Sequence, residues 1–196
     1  MRNEAPASPS GARPVPGTIF ASVRTLMAGG LLLAAARNAT AEGISWDSVG
    51  LRSGFSITSF SDPFAQSELY SDWNLPYTLN MGTNWTLKPK LELSAGILTG
   101  HRHAAFVGGA GPLLELRHKK FPVYLEGGVR LTGLSRDTFG NRDLGIPFQF
   151  TSHIGFGWDI THHWNASYRF EHMSNAGLGT PNPGINMNMF GVGYRF

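Results

Sequence analysis

The chain has 196 residues, no cysteine, 25 glycines and 12% aromatic residues. That length favours one domain with a core large enough to fold without staples, and the lack of cysteine rules out disulfides and thiolate metal sites. The formal net charge is +3. However, Arg2, Arg13, Arg24 and Arg37 against the single acid Glu4 place the whole surplus in residues 1–41, so residues 42–196 are neutral and give no support to nucleic-acid binding.

In chain order, Arg24 precedes an apolar run from Leu26 to Ala36, and a small-residue site, Ala39-Thr40-Ala41, follows before Glu42. A basic flank, a short apolar core and an A-x-A site describe a secretory signal. The run is well short of the ~20 residues a membrane-spanning helix needs. Residues 1–41 are therefore expected to be a removed leader, and residues 42–196 the mature domain.

No later window suits a spanning helix, yet apolar and polar residues alternate repeatedly. Period two sends alternate residues to opposite faces and predicts eight strands, over 46–59, 66–80, 88–100, 104–118, 121–135, 146–161, 163–175 and 185–196. In the fifth, Val123, Leu125, Val129 and Leu131 oppose Tyr124, Glu126, Arg130 and Thr132. The sixth sets Phe148, Phe150, Ile154, Phe156 and Trp158 against Gln149, Thr151, His153 and Asp159. The seventh sets Trp164, Ala166, Tyr168 and Phe170 against Asn165, Ser167, Arg169 and Glu171, and Phe190, Val192, Tyr194 and Phe196 share a face of the eighth.

A soluble barrel would turn the apolar face inward, whereas a membrane barrel turns it toward lipid. Three features favour the membrane. Aromatics collect toward strand ends on the apolar face, as interfacial girdles do. The polar faces carry Glu68, Asp72, Glu92, Glu115, Glu126 and Glu171 in near balance with Arg52, Arg117, Arg130, Arg169 and Arg195, as a narrow lumen of paired charges requires. The chain also stops on an aromatic strand at Phe196. Because an open sheet edge is untenable in lipid, the expected fold is all-β: an eight-stranded antiparallel outer-membrane barrel, with both termini periplasmic. Turns at Lys88-Pro89, Lys119-Lys120 and Thr161-His162 then face the periplasm, and loops around His101-Arg102-His103, 136–143 and 176–184 face outward. His162-His163 reads as a solvated pair in a turn.

Near the outer end of the seventh strand stands Glu171-His172-Met173-Ser174-Asn175-Ala176-Gly177-Leu178. His172 and Ser174 share a face with their Cα atoms about 6–7 Å apart, a gap two side chains can bridge. The face is the lipid-facing one, where a polar pair is unfavourable unless it sits among headgroups or has a function. Together with Pro181-Asn182-Pro183-Gly184-Ile185 and the closing aromatic strand, this stretch resembles the lipid A 3-O-deacylase (PagL-like) family over residues 168–196.

The resemblance implies an outer-membrane serine esterase that removes the 3-O-linked 3-hydroxyacyl chain of lipid A in lipopolysaccharide, with no cofactor and no metal. It makes Ser174 the nucleophile and His172 its general base. It assigns Asn175, with the Gly177 backbone N–H, to the oxyanion hole. One position departs from the pattern, since Asn186 stands where family members have a glutamate. By parity Asn186 faces outward beside His172, and its amide oxygen can orient the imidazole but not stabilise its charge. Asp137 or Asp143 is the alternative acid; Glu171 faces the lumen. Rival readings are another outer-membrane lipid enzyme, a phospholipase or a palmitoyltransferase, and a non-catalytic structural barrel.

Overall fold

The computed structural model describes residues 39–40, 43–57 and 63–196. The expected leader lies outside the described residues except for Ala39–Thr40, which pair with Leu79 and Thr78. Eight long strands follow: β1 Ser45–Ser56, β2 Ala65–Asn74, β3 Trp85–Gly100, β4 His103–His118, β5 Val123–Leu134, β6 Phe148–Asp159, β7 Trp164–Ser174 and β8 Ile185–Arg195. Each pairs antiparallel with its sequence neighbours. β8 returns to β1, with Phe190 opposite Ser53 and Tyr194 opposite Val49, so the sheet closes and leaves no edge.

The alternation read from the sequence sorts side chains as expected. Leu51, Leu69, Ile97, Leu125, Leu131, Ile154, Phe156 and Val192 stand exposed on the outer wall, while Arg52, Glu68, Glu92, Glu126, Arg130, Arg169 and Glu171 are buried inside. An eight-stranded barrel has an interior just wide enough to be filled by side chains, so these charges must neutralise one another. Arg130 donates from Nη1 to Glu68 at 2.8 Å and from Nη2 to Glu171 at 2.9 Å. Arg169 reaches both Glu92 and Glu126, and Arg52 completes the set on Glu68 and Glu92. Closer to the periplasmic end, Lys90 bridges Asp47 at 2.7 Å and Glu115 at 2.8 Å. Arg117 and Arg195 converge there on Asp159.

Two features depart from the sequence reading. The expected second strand ran to residue 80 and the third began at 88, with a turn at Lys88-Pro89. In the structure β2 stops at Asn74, just before Leu75-Pro76, where proline cannot donate to a ladder. Residues Thr78–Met81 fold back instead on the start of β3, Leu79 facing Leu87, around a turn at Gly82. Lys88 and Pro89 therefore lie within β3. The lumen is also not charged throughout. At the outer end Phe64, Leu98, Val107, Leu134, Phe139, Leu144, Met173, Ile185, Met187 and Met189 form one buried apolar cluster. Phe139 and Leu144 come from the loop 135–147, which carries a small hairpin of Thr138–Phe139 on Arg142–Asp143. That loop closes the barrel mouth.

All five tryptophans, Trp46, Trp73, Trp85, Trp158 and Trp164, fall at the strand ends that share a side with the C-terminus. Trp46 stacks on Trp73 at 5.8 Å and meets Phe196 at 4.2 Å, while Trp164 meets Tyr194 at 5.4 Å. Indole rings favour the headgroup level, so this belt marks the periplasmic interface. No helix among the described residues is long and apolar enough to cross a membrane; the strands do so.

Candidate active site

The end of β7 opposite the tryptophan belt carries the residues singled out above. Its outward side chains are Phe170, His172 and Ser174, and its inward ones are Glu171, Met173 and Asn175. His172 is exposed and Ser174 half-buried, whereas Glu171 and Asn175 are fully buried. Register brings in the neighbours: His172 lies opposite Asn186 on β8 and opposite Ser152 on β6. The imidazole Nδ1 is 2.7 Å from Asn186 Oδ1. A carboxamide oxygen only accepts, so this bond puts the ring proton on Nδ1 and leaves Nε2 with a lone pair. No hydrogen bond joins Ser174 Oγ to His172 among the described residues.

Gly184 sets the depth of the imidazole. It has φ +63°, which a side chain would strain, and a Cβ there would lie 2.9 Å from His172 Cε1. Only a bare backbone lets the residue before β8 approach the ring, and Arg142 Nη2 donates to its carbonyl at 3.4 Å.

The expected oxyanion donors are otherwise engaged. Asn175 Nδ2 donates to Leu144 O and to Pro181 O, both at 3.0 Å, and its backbone N–H donates to Asn182 Oδ1 at 3.1 Å. Its Oδ1 accepts from the Gly177 N–H at 2.9 Å. Asn175 thus ties the loop 175–184 to the loop 135–147 from inside the barrel mouth. Gly145, at φ +89°, permits the contact, since a Cβ there would meet Pro181 O and Asn175 Nδ2. The Ala176 N–H, by contrast, has no partner among the described residues.

Neither alternative acid reaches the site. Asp143 accepts from the Gly145 N–H at 2.8 Å and Asp137 from the Thr138 hydroxyl at 3.3 Å, both within their own loop. Glu171 points into the lumen toward Arg130. Beside His172 the outer wall is dented by a concavity of about 300 Å³ lined by Ser152, Ile154, Phe170 and His172. Sequence reasoning missed this groove, because its walls come from two strands whose register is not written in either.

The sequence profile of the lipid A 3-O-deacylase (PagL) family matches residues 54–195. The chain belongs to the lipid A 3-O-deacylase family. It is 33% identical over 121 residues to the lipid A deacylase PagL of Bordetella bronchiseptica, covering 59% of this chain and 67% of that one. With the lipid A deacylase PagL of Pseudomonas aeruginosa it is 28% identical over 126 residues, covering 57% and 72%. A crystal structure of the outer membrane enzyme PagL superposes with a TM-score of 0.64 at 17% identity, over 74% of this chain and 97% of the other, and so shares the fold. This lipid A 3-O-deacylase is accordingly an ester hydrolase of the outer membrane that removes a 3-O acyl chain.

Proposed function

We propose that this deacylase cleaves the 3-O-linked 3-hydroxyacyl ester of lipid A by a serine mechanism in which Ser174 attacks and His172 Nε2 takes its proton. The observation that carries the reading is the His172 Nδ1–Asn186 Oδ1 bond of 2.7 Å on the lipid-facing wall. A buried polar pair would be unremarkable; an outward one at the end of β7 sits where an outer-leaflet lipid presents its ester. Serine is a poor nucleophile at its free pKa and needs an adjacent base. Asn186 supplies the orientation, holding the tautomer that leaves Nε2 free.

Attack on the ester carbonyl gives a tetrahedral oxyanion, which needs donors aimed at it. The Ala176 N–H is the open donor nearest in the chain to Ser174, while Asn175 holds the turn that presents it. Collapse expels the sugar 3-oxygen, protonated by the His172 imidazolium, and leaves an acyl-Ser174 ester. Water, deprotonated by the same imidazole, then releases the 3-hydroxy fatty acid. The groove of Ile154 and Phe170 beside His172 is apolar and opens to lipid, as the departing acyl chain requires.

The test is mass spectrometry of lipid A from a Gram-negative host expressing the chain. The wild type should remove one 3-hydroxyacyl mass, and Ser174→Ala and His172→Ala should leave lipid A intact while the barrel still inserts. Unchanged lipid A in the wild type, with the barrel inserted, refutes the reading. Loss of a secondary acyl chain instead moves the cleaved bond elsewhere.

A further inference from the structure

At the opposite end of the barrel from Ser174, charge and apolar surface meet in a way the deacylase reaction does not use. The chain has four lysines, Lys88, Lys90, Lys119 and Lys120. Lys90 is locked in the lumen, and Lys119 and Lys120 stand exposed in the four-residue turn between β4 and β5. The other described periplasmic connections, 75–84 and 160–163, carry no Lys, Arg, Asp or Glu. Arg117 and Arg195 at this end are paired with Asp159 and Lys88 is half-buried at the start of β3, so the exposed lysines of the described rim are Lys119 and Lys120.

That turn is built rather than loose. Lys119 N–H donates to Asn84 O at 2.9 Å, and Lys120 N–H donates to His118 Nδ1 at 3.2 Å. The His118 ring itself meets Trp85 edge-on at 4.8 Å and Phe121 at 4.7 Å. Directly beneath, on the outer wall, Trp85, Leu116, Val123 and Leu125 line an apolar groove of about 260 Å³. It shares Phe121 and Pro122 with a second hollow of about 490 Å³ that holds both lysines and His162. The acid in that hollow, Asp159, is already paired with Arg117 and Arg195.

An apolar groove within the membrane, topped by two ammonium groups at the level of the tryptophan belt, matches one kind of molecule. We infer that the β3–β4–β5 face at the periplasmic rim binds an anionic diacyl phospholipid of the inner leaflet, its phosphate on Lys119 and Lys120 and one acyl chain along Trp85, Leu116, Val123 and Leu125. Lysines at a membrane surface attract anionic lipid, and the groove gives the chain a seat that a bare charge would lack.

Native mass spectrometry of the full chain in neutral detergent tests this with phosphatidylglycerol and phosphatidylethanolamine of identical acyl chains. Phosphatidylglycerol should be retained about ten-fold better. The preference should vanish in Lys119→Ala/Lys120→Ala and persist in Lys119→Arg/Lys120→Arg, with lipid A deacylation unchanged in both as proof of folding. Equal retention of the two lipids, or a preference that survives the alanine variant, overturns the site. Competition by free glycerol phosphate as effective as that by the whole lipid reduces it to a plain anion site and overturns the groove. Either failure leaves the deacylase reading untouched, since that rests on lipid A analysis alone.

Discussion

Replacing Asn186 by glutamate places a charge beside His172 Nδ1, and the size of the effect follows from the geometry. In serine hydrolases an asparagine at the third position lowers kcat by about 10⁴ when it fixes the wrong tautomer. Here the amide turns its oxygen to Nδ1 at 2.7 Å, so the tautomer is right and only the missing charge matters. A carboxylate about 4 Å from the imidazolium centre is worth ~4 kcal/mol at an effective dielectric of about 20 and ~1 kcal/mol in water. His172 is exposed, so the gain falls between these limits, at about 1–3 kcal/mol of transition-state stabilisation or about 5- to 150-fold in rate. Asn186→Ala removes a neutral hydrogen bond and should slow the reaction about 2- to 12-fold. Initial rates of lipid A deacylation by barrels purified in one detergent should therefore rank Glu above Asn above Ala. A glutamate variant no faster than wild type, with its barrel intact, refutes the charge argument. An alanine variant equal to wild type removes Asn186 from the mechanism.

Gly184→Ala should place a methyl against His172 Cε1 in a left-handed backbone. Activity should drop at least about ten-fold, with about 1–2 kcal/mol of lost stability in urea unfolding; unchanged activity would show that the ring's depth does not matter. Asn175→Ala deletes the partner of Leu144 O, Pro181 O and the Gly177 N–H, at about 1 kcal/mol each. Protease cleavage within 175–184 and loss of activity should rise together, whereas lost activity with a loop as resistant as wild type would restore Asn175 to the oxyanion hole. Ile154→Trp should fill the groove beside His172 and slow hydrolysis of long-chain esters several-fold while sparing short ones; equal effects on both would place the acyl chain elsewhere. Glu171→Gln should leave deacylation intact while weakening the barrel by about 3–5 kcal/mol, because Arg130 loses a buried partner.

Much of this molecule was legible because a closed eight-stranded barrel gives each residue only two destinations. Tyr124, Glu126 and Arg130 had to be inside once Leu125 and Val129 were outside. The partners inside were not legible. Glu92 meets Arg52 and Arg169 across the lumen, and Lys90 meets Asp47 and Glu115, through a stagger of strands that alternation does not encode. The apolar mouth escaped notice for a related reason. Met173, Met187 and Met189 share their face with Glu171 and Arg169, so a face read as polar turns apolar only where a loop descends to cover it. Pro76 hid the end of β2, because the residues after it alternate well enough to continue a strand.

The same rule bears on Asn175, and it argues against the sequence reading on its own terms. If Ser174 faces lipid, Asn175 faces the lumen, and a side chain turned inward at the barrel mouth is poorly placed to meet an ester outside. Its four hydrogen bonds to Leu144, Pro181, Gly177 and Asn182 are what such a position can make. Along this end of β7 the outward residues, His172 and Ser174, are the ones the proposed reaction uses, and the inward residues that anchor the strand beneath them are Met173 in the apolar mouth and Asn175 on two loops. A pair on a lipid-facing wall has protein on one side only, so beyond Asn186 and Gly184 little there fixes its geometry. The rigidity has to come through the strand from the side the substrate never touches.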